Sequence, residues 1–235
     1  MALILNIEST TTVCSVALAK DGKLIELMEI NEGFSHAENL TFFIQEILKK
    51  HTISISSIDA VAVSKGPGSY TGLRIGVAAA KGICYAIDKP LIAIGTLKHL
   101  TQKVKREEDK KSQILNPKSQ ILFCPMLDAR RMEVYCALYD NTLIEVEPVQ
   151  AKIIDERSFE NILNTKTILF FGNGAEKCKE ILSQNKNAVF IDNIHPSAAD
   201  MISFSEELFK QNKFEDLAYF EPYYLKEFVS GNFNP

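Results

Sequence analysis

NIESTTTVCSVAL, residues 6 to 18, and MLDARRMEVYCAL, residues 126 to 138, can be laid over each other without a gap. Each stretch reads as an apolar strand that ends in a carboxylate, followed by a tight turn and a second apolar strand. The matched pairs are Glu8 and Asp128, Val16 and Cys136, Ala17 and Ala137, and Leu18 and Leu138. The chain therefore contains an internal duplication, and we expect its fold to consist of two related halves.

The hydrophobic pattern around these stretches predicts the same order of elements twice, β-β-β-α-β-α-β-α. In the first half an Asp21-Gly22 turn joins the second and third strands, and helical periodicity begins at His36. In the second half the order starts again at Ile121. A duplicated unit of this kind resembles the superfamily of actin, Hsp70 and the sugar kinases. The resemblance implies an α/β fold of two actin-like (ASKHA, ribonuclease H-like) lobes that hold a nucleotide between them.

The predicted domain division follows from this order. Residues 1–104 form the N-terminal lobe, residues 105–119 a charged loop insertion, and residues 120–235 the C-terminal lobe. The peptide KSQIL occurs twice around the insertion, which is either a duplicated functional element or a tolerated loop insertion. The sequence leaves open whether the last helix, at about 197–212, and the tail pack back on the first lobe, as an actin-like topology suggests.

The two strand-ending carboxylates mark candidate phosphate turns. In nucleotide-binding members of the superfamily such turns point backbone N–H groups at phosphates, and glycine is favoured there because it leaves room. Here neither turn contains a glycine. Hydroxyl groups and arginines could still bind phosphate, or the threonines simply close a turn and the arginines make surface contacts. We interpret these as vestigial phosphate turns, with the residues Glu8, Ser9, Thr10, Asp128 and Arg130.

SKGPGSYTGLRIGVAAAKGI, residues 64 to 83, is the second informative stretch. It contains no P-loop motif and is one residue away from the dinucleotide-binding spacing. On a helical wheel, small side chains recur on one face of the helix predicted for 72–87, and an adjoining face is also apolar. Because helical glycines cost about 1 kcal/mol each relative to alanine, close packing must compensate. The helix is either sandwiched within its own domain or, as we favour, forms a subunit interface.

Composition narrows the classes of function. The formal net charge of -4 and pI near 5.7 argue against independent binding to a nucleic-acid backbone. Five scattered cysteines favour buried thiols in a reducing compartment, and the first apolar run is too short for a signal peptide, so we expect a cytoplasmic protein without a membrane span. The four histidines form no H-x-x-x-H pair, and we expect them to be surface or capping residues.

Several motifs together resemble the TsaB (YeaZ) family, which takes part in making threonylcarbamoyladenosine on tRNA. They are GPGSYTGLRIGVAAAKGI at 66–83, SHAE at 35–38, LDARRMEVYCALY at 127–139, GNGA at 172–175 and EPYYLKE near the end. The resemblance covers nearly the whole chain. Glu8, where the family more often has aspartate, and Tyr70, where it has phenylalanine, are mild departures.

This resemblance implies a non-catalytic scaffold rather than an enzyme. The chain would activate its paralogue TsaD, which transfers the threonylcarbamoyl group to adenosine 37 of tRNA, and a P-loop ATPase, TsaE, would join the complex. It implies no cofactor for the chain alone, with ATP or ADP and Mg²⁺ entering only in the complex, tRNA contact only through the complex, and a homodimer in isolation. The implied partner-facing residues are Gly72, Ile75, Gly76, Ala79, Ile83 and His36.

Two alternatives remain open from the residues themselves. The first is an actin-like ATPase or kinase that acts alone, against which the missing turn glycines count. The second is a glycoprotease-like metallopeptidase, against which the missing histidine pair counts. On either alternative the chain would itself carry the chemistry, whereas a scaffold needs neither catalytic nor metal-binding residues.

Overall fold

The computed structural model describes residues 1–31, 36–111 and 121–226. The first half of the chain contains the strands β1 (Leu3–Glu8), β2 (Cys14–Lys20), β3 (Lys23–Ile30), β4 (Ala60–Gly66) and β5 (Leu91–Gly95), and the helices α1 (His36–Lys50), α2 (Tyr70–Ile87) and α3 (Thr96–Lys111). A short 3-10 turn, Ile55–Ser57, precedes β4.

The second half repeats this order with shorter helices. Its strands are β6 (Ile121–Asp128), β7 (Glu133–Tyr139), β8 (Glu145–Ile153), β9 (Thr167–Phe171) and β10 (Ala188–Ile191), and its helices are α4 (Glu160–Leu163), α5 (Lys179–Leu182) and α6 (Ile202–Lys210). Two 3-10 turns, Glu176–Cys178 and Ala198–Met201, lead into α5 and α6. No helix within the described ranges is long and apolar enough to cross a bilayer.

The strand order confirms the predicted duplication. The sheets run β3-β2-β1-β4-β5 and β8-β7-β6-β9-β10, so corresponding strands take corresponding places. In each sheet the first strand pairs antiparallel with the second and parallel with the fourth. Because β1 and β6 are central, their residues are buried on both faces and read as continuous apolar runs. The carboxylates Glu8 and Asp128 end these two central strands.

The helices that follow the last strand of each half cross to the other half. Helix α3 packs on the second sheet, where Leu97, Leu100 and Val104 meet Phe123 and Phe171. The 3-10 turn and α6 pack on the first sheet, through Met201, Phe204 and Leu208, which meet Ile4, Ala62 and Ile92. The opposite face of the first sheet is covered by α1 and α2. Because α3 packs on the second sheet and α6 on the first, apolar contacts join the two lobes.

Several predicted boundaries are wrong. Residues 105–111 are not a loop, because they continue α3; Lys105 pairs with Asp109 one turn later at 2.5 Å, and Arg106 donates to Asp200 at 2.8 Å. The rest of the predicted insertion, most of both KSQIL copies, Ser35 and the tail beyond residue 226 lie outside the described residues. The helix expected at 155–163 is limited to α4, since Phe159 before it is left-handed at φ 64°.

Candidate functional site

The first turn is built around a fully buried carboxylate at the end of β1. Glu8 has 0% exposure, and its Oε1 accepts hydrogen bonds from the Thr10 backbone N–H at 2.6 Å and the Thr10 hydroxyl at 2.5 Å. Its Oε2 lies 2.8 Å from Nε2 of His99, on α3. Burial raises the pKa of the Glu8 carboxyl, but the hydrogen bond and charge of His99 and the hydroxyls of Ser64 and Thr10 outweigh it and hold that pKa below its usual value. Both carboxylate oxygens are therefore already engaged.

The polar cluster around Glu8 resembles a catalytic triad only superficially. Nε2 of His99 lies 3.2 Å from the Ser64 hydroxyl, whose oxygen is 2.9 Å from the Thr96 hydroxyl. A triad uses the two different ring nitrogens, one toward the serine and one toward the carboxylate. Here the same nitrogen faces both, and Ser64, Thr96 and His99 are buried. The arrangement is suited to holding the turn and not to attacking a substrate.

Three glycines of the 64–83 stretch, Gly68, Gly72 and Gly76, face this turn, so the space they leave is filled by this chain and not by a neighbouring subunit. A Cβ added at Gly72 would lie 2.0 Å from the backbone oxygen of Ser9, and one at Gly76 would lie 2.2 Å from the Ser9 hydroxyl. That hydroxyl donates to the Gly72 carbonyl at 2.8 Å. A Cβ at Gly68 would lie 2.4 Å from the Thr10 oxygen. These glycines are needed because α2 and the loop before it pack directly on the β1–β2 turn of the same lobe.

His36 also belongs to the turn. Its Nε2 lies 2.7 Å from the backbone oxygen of Thr11, and the side chain is 3% exposed. The expectation that His36 and His99 are surface or capping residues is wrong, because both are buried against the first turn. The structure thus brings His36, predicted to face a partner, together with the predicted phosphate turn of Ser9 and Thr10, and all three are packed inside the lobe.

The second turn occupies the same place in its lobe and is open. The Asp128 side chain is 48% exposed, its Oδ1 accepts from the Arg130 N–H at 3.1 Å and pairs with Lys177. The Lys177 ammonium group also donates to the backbone oxygens of Arg131, at 2.6 Å, and Glu133, at 2.7 Å. Arg130 and Arg131 are exposed in left-handed backbone, at φ 69° and 48°.

The glycine loop of the second lobe repeats the packing of the first. A Cβ at Gly172 would lie 2.4 Å from the Met126 oxygen, and one at Gly174 would lie 2.7 Å from the Leu127 carbonyl carbon. Gly172 also has a positive φ of 98°, which favours glycine. In both lobes, glycines after the fourth strand let a loop or helix approach the end of the central strand.

The exposed face of α2 is not the face that was predicted to contact a partner. Ile75, Ala79 and Ile83 are half-buried and pack at the margin of the core beneath α1 and α2. The exposed residues of the helix are Thr71, Arg74, Ala78, Gly82, Tyr85 and Ala86. A Cβ at Gly82 would have nothing within 4 Å, and Tyr85 is 84% exposed. Small residues four positions apart, 78, 82 and 86, were the signal that could have identified this face from the sequence.

Comparison with known proteins gives one consistent result. The model of a family described as TsaD, tRNA N6-adenosine threonylcarbamoyltransferase, matches residues 33–227. The tRNA threonylcarbamoyladenosine biosynthesis protein TsaB of Escherichia coli is 30% identical over 97% of this chain and 96% of its own length. A threonylcarbamoyltransferase of Staphylococcus haemolyticus is 36% identical over 39% of this chain. Among solved structures, YeaZ from Pseudomonas aeruginosa has a TM-score of 0.76 at 21% identity, with 96% of this chain and 100% of that chain covered.

Proposed function

The chain belongs to the family of the tRNA threonylcarbamoyladenosine biosynthesis protein TsaB, and we propose that it serves threonylcarbamoyladenosine formation as a non-catalytic partner of a TsaD-type catalytic subunit. In this proposal the chain contributes a binding surface and a folded scaffold, while the partner transfers the threonylcarbamoyl group to tRNA. A TsaE-type ATPase and the tRNA itself join through the complex, and the isolated chain pairs with a second copy of itself.

The observation that carries the non-catalytic part is the state of Glu8. The superfamily's chemistry needs a strand-ending carboxylate that can reach Mg²⁺, directly or through water. Glu8 is completely buried, with its two oxygens taken by Thr10 and His99. Freeing this carboxylate would break its buried hydrogen bonds with Thr10 and His99, and leaving a buried polar partner unsatisfied costs about 1–3 kcal/mol. The first turn therefore does not fit a magnesium nucleotide, and no catalytic step is assigned to it.

The surface that supports the scaffold role lies on α1 and α2. Phe42 on α1 is 52% exposed, and the neighbouring helix exposes Ala78, Gly82 and Tyr85. Small side chains at a four-residue spacing allow a partner helix to approach closely, and large aromatic residues at the margin supply buried area. We assign the partner contact to this exposed face, with Ile75, Ala79 and Ile83 at its margin, and not to Gly72, Gly76 or His36.

Two readings in which this chain is itself an enzyme are less well supported. A lone ATPase or kinase would have to use the second turn, where Lys177 already binds Asp128. For a metallopeptidase, the described residues offer no group of three or more His, Cys, Asp or Glu side chains placed to hold a metal ion.

The test is a co-purification of the chain with the TsaD-type subunit of the same organism. Gly82→Arg should prevent the complex from forming on gel filtration while the chain stays folded, because the arginine would project from an open helical surface. Gln184→Arg, an equivalent change at an exposed position of the second lobe, should leave the complex intact. An unchanged complex with Gly82→Arg would refute the surface, and Mg-ATP turnover by the isolated chain would refute the non-catalytic role.

A further inference from the structure

Three oxygen atoms of the β6–β7 turn converge on the side chain of Lys177. Its ammonium group pairs with Oδ1 of Asp128 and donates to the backbone oxygens of Arg131, at 2.6 Å, and Glu133, at 2.7 Å. A lysine ammonium group has three N–H donors and no acceptor. All three donors are therefore used inside this turn, and none is left for a phosphate group or another ligand.

The atoms around the Lys177 nitrogen are of the kind that bind cations in proteins. One is a carboxylate oxygen and two are backbone carbonyl oxygens, which are ligands that hard cations take. The carbonyl oxygens lie 2.6 and 2.7 Å from the nitrogen, whereas Mg²⁺ needs oxygens at about 2.0–2.1 Å. Carbonyl oxygens also replace the hydration shell of K⁺ in selectivity filters. The set carries one negative charge and therefore suits a monovalent cation better than Mg²⁺.

The backbone of the turn is strained where it supplies one of these oxygens. Arg130 and Arg131 follow each other in left-handed backbone, at φ 69° and 48°, which is unfavourable for residues other than glycine. Such strain persists only where the surrounding contacts fix it. The Lys177 ammonium group contacts both sides of this pair, Asp128 before it and Glu133 after it, and its side chain is 24% exposed. A positive charge thus lies at the centre of the turn and holds its two ends together.

We propose that the β6–β7 turn is a binding site for a monovalent cation, which the Lys177 ammonium group occupies in this chain. A chain without that side chain should bind K⁺ or NH₄⁺ from solution at the same three oxygens. Mg²⁺ does not fit here, as it does not fit at Glu8, because an ammonium group already neutralises the strand-ending carboxylate. The site is separate from the α1–α2 surface, so it does not depend on the binding of a TsaD-type subunit.

The experiment is thermal unfolding of the full chain with Lys177→Ala, beside the parent chain, in chlorides of tetramethylammonium, ammonium or potassium at one ionic strength. Tetramethylammonium has no N–H donor and is too large for the site. In that salt the variant should unfold about 2–4 °C or more below the parent, because three acceptors have lost their donor. Ammonium and potassium should remove most of this difference in a saturable way. If the variant does not fold in tetramethylammonium, its refolding on addition of NH₄⁺ or K⁺ is the measurement.

The matched control is Lys179→Ala, at an exposed lysine that pairs with Asp192 and not with the turn, and its difference from the parent should be the same in all three salts. Adding Asp128→Asn to Lys177→Ala should abolish the recovery, because the carboxylate is lost. An equal midpoint for Lys177→Ala and the parent in every salt would overturn the proposal, as would a loss that neither NH₄⁺ nor K⁺ restores. Stronger recovery with Mg²⁺ or Ca²⁺ than with K⁺ would refute a monovalent site.

Discussion

The β1–β2 turn and the β6–β7 turn hold the same place in duplicated lobes and have opposite environments. Both follow a central strand that ends in a carboxylate, and in both a glycine loop packs against the strand end. Glu8 in the first turn is fully buried, whereas the Asp128 side chain is 48% exposed. Topology therefore places the carboxylate, and the neighbouring elements decide whether it can be reached.

The elements that differ are the ones packed around each turn. In the first lobe, α2, the start of α1 and α3 all press on the turn and bring Gly72, His36 and His99 to it. In the second lobe the counterparts of α1 and α2 are single turns, α4 and α5, and the counterpart of α3, α6, packs on the first sheet. One lysine, Lys177, takes the place of the two histidines. Longer helices close the first turn, and shorter ones leave the second in contact with solvent.

The largest effect is expected from adding one methyl group to α2, where the helix packs on the first turn. Gly72→Ala should lower the free energy of unfolding by about 4 kcal/mol or more, because the Cβ would overlap the Ser9 backbone oxygen at 2.0 Å, and backbone cannot move aside cheaply. Gly82→Ala is the matched control on the same helix. Nothing lies within 4 Å of its Cβ, so it should be neutral or raise stability by up to about 1 kcal/mol. Urea unfolding measures both variants.

A stable Gly72→Ala protein would show that the turn is not tightly packed by α2. The same reasoning changes the expectation for Gly76. A bulky residue there would strike the Ser9 hydroxyl at 2.2 Å and disrupt the lobe, so loss of a partner with Gly76→Leu would not by itself locate an interface. Gly82 is the informative position.

A second comparison sets the two carboxylates against each other. Glu8→Gln should cost about 3 kcal/mol, since it removes the charge that the buried His99 faces. Asp128→Asn should change stability by about 1 kcal/mol or less, because its ion pair with Lys177 is partly in solvent. Thermal unfolding of the two variants beside the parent chain gives both values. Equal losses would mean that burial does not distinguish the turns.

The pH dependence of the same variants sharpens this difference. The pKa of Glu8 in the folded chain lies below the ordinary value of 4.5, so the unfolded chain takes up this proton first as the pH falls. The stability that Glu8 contributes is complete above about pH 4.5 and is lost as the pH falls through the lower, folded pKa. Glu8→Gln should therefore flatten the acid side of the stability profile. If the variant's stability instead fell with pH as steeply as that of the parent chain, Glu8 would not be the group whose protonation destabilises the fold in acid.

The sequence predicted the order of the strands and helices better than the residues at which they begin and end. The repeated strand and helix order followed from the periodicity of apolar residues and from the match of Glu8 with Asp128, and the ten strands of the described ranges overlap the predicted ones. Residues 105–111, the described part of the predicted loop, are helical instead. Their helix is stabilised by contacts made in space, such as Arg106 with Asp200, which no local pattern reveals.

The candidate site shows more clearly what the sequence alone could not predict. Small residues on α2 correctly indicated close backbone approach, but the sequence could not say whether the approaching backbone came from this chain or from another. Ser9 is separated from Gly72 by most of the first lobe along the chain, and only the parallel pairing of β1 with β4 brings them together. His99 was missed for the same reason, since its role depends on where α3 begins relative to Glu8.

The smallest expected effect concerns the open turn itself. Arg130 has a left-handed backbone at φ 69°, a conformation that costs a non-glycine residue about 1–2 kcal/mol. A glycine avoids this cost but loses about 0.5–1 kcal/mol of stability, because its backbone has more conformational entropy in the unfolded chain. Arg130→Gly should therefore raise the free energy of unfolding by about 0.5 kcal/mol. The backbone hydrogen bond from residue 130 to Asp128 is kept in this variant, so the turn retains its shape.

Arg130→Ala separates backbone strain from the loss of the arginine side chain, because alanine keeps the strain and removes the charge. If strain is the cause, only the glycine variant gains stability in urea unfolding. If both gain equally, repulsion between Arg130 and its neighbours Arg131 and Lys177 would be the cause instead. The first turn offers no such gain, since none of Glu8, Ser9 or Thr10 has a positive φ. Strain at exposed arginines in one turn, and its absence from the buried one, indicates that the second turn is shaped to present side chains to solvent and the first to pack.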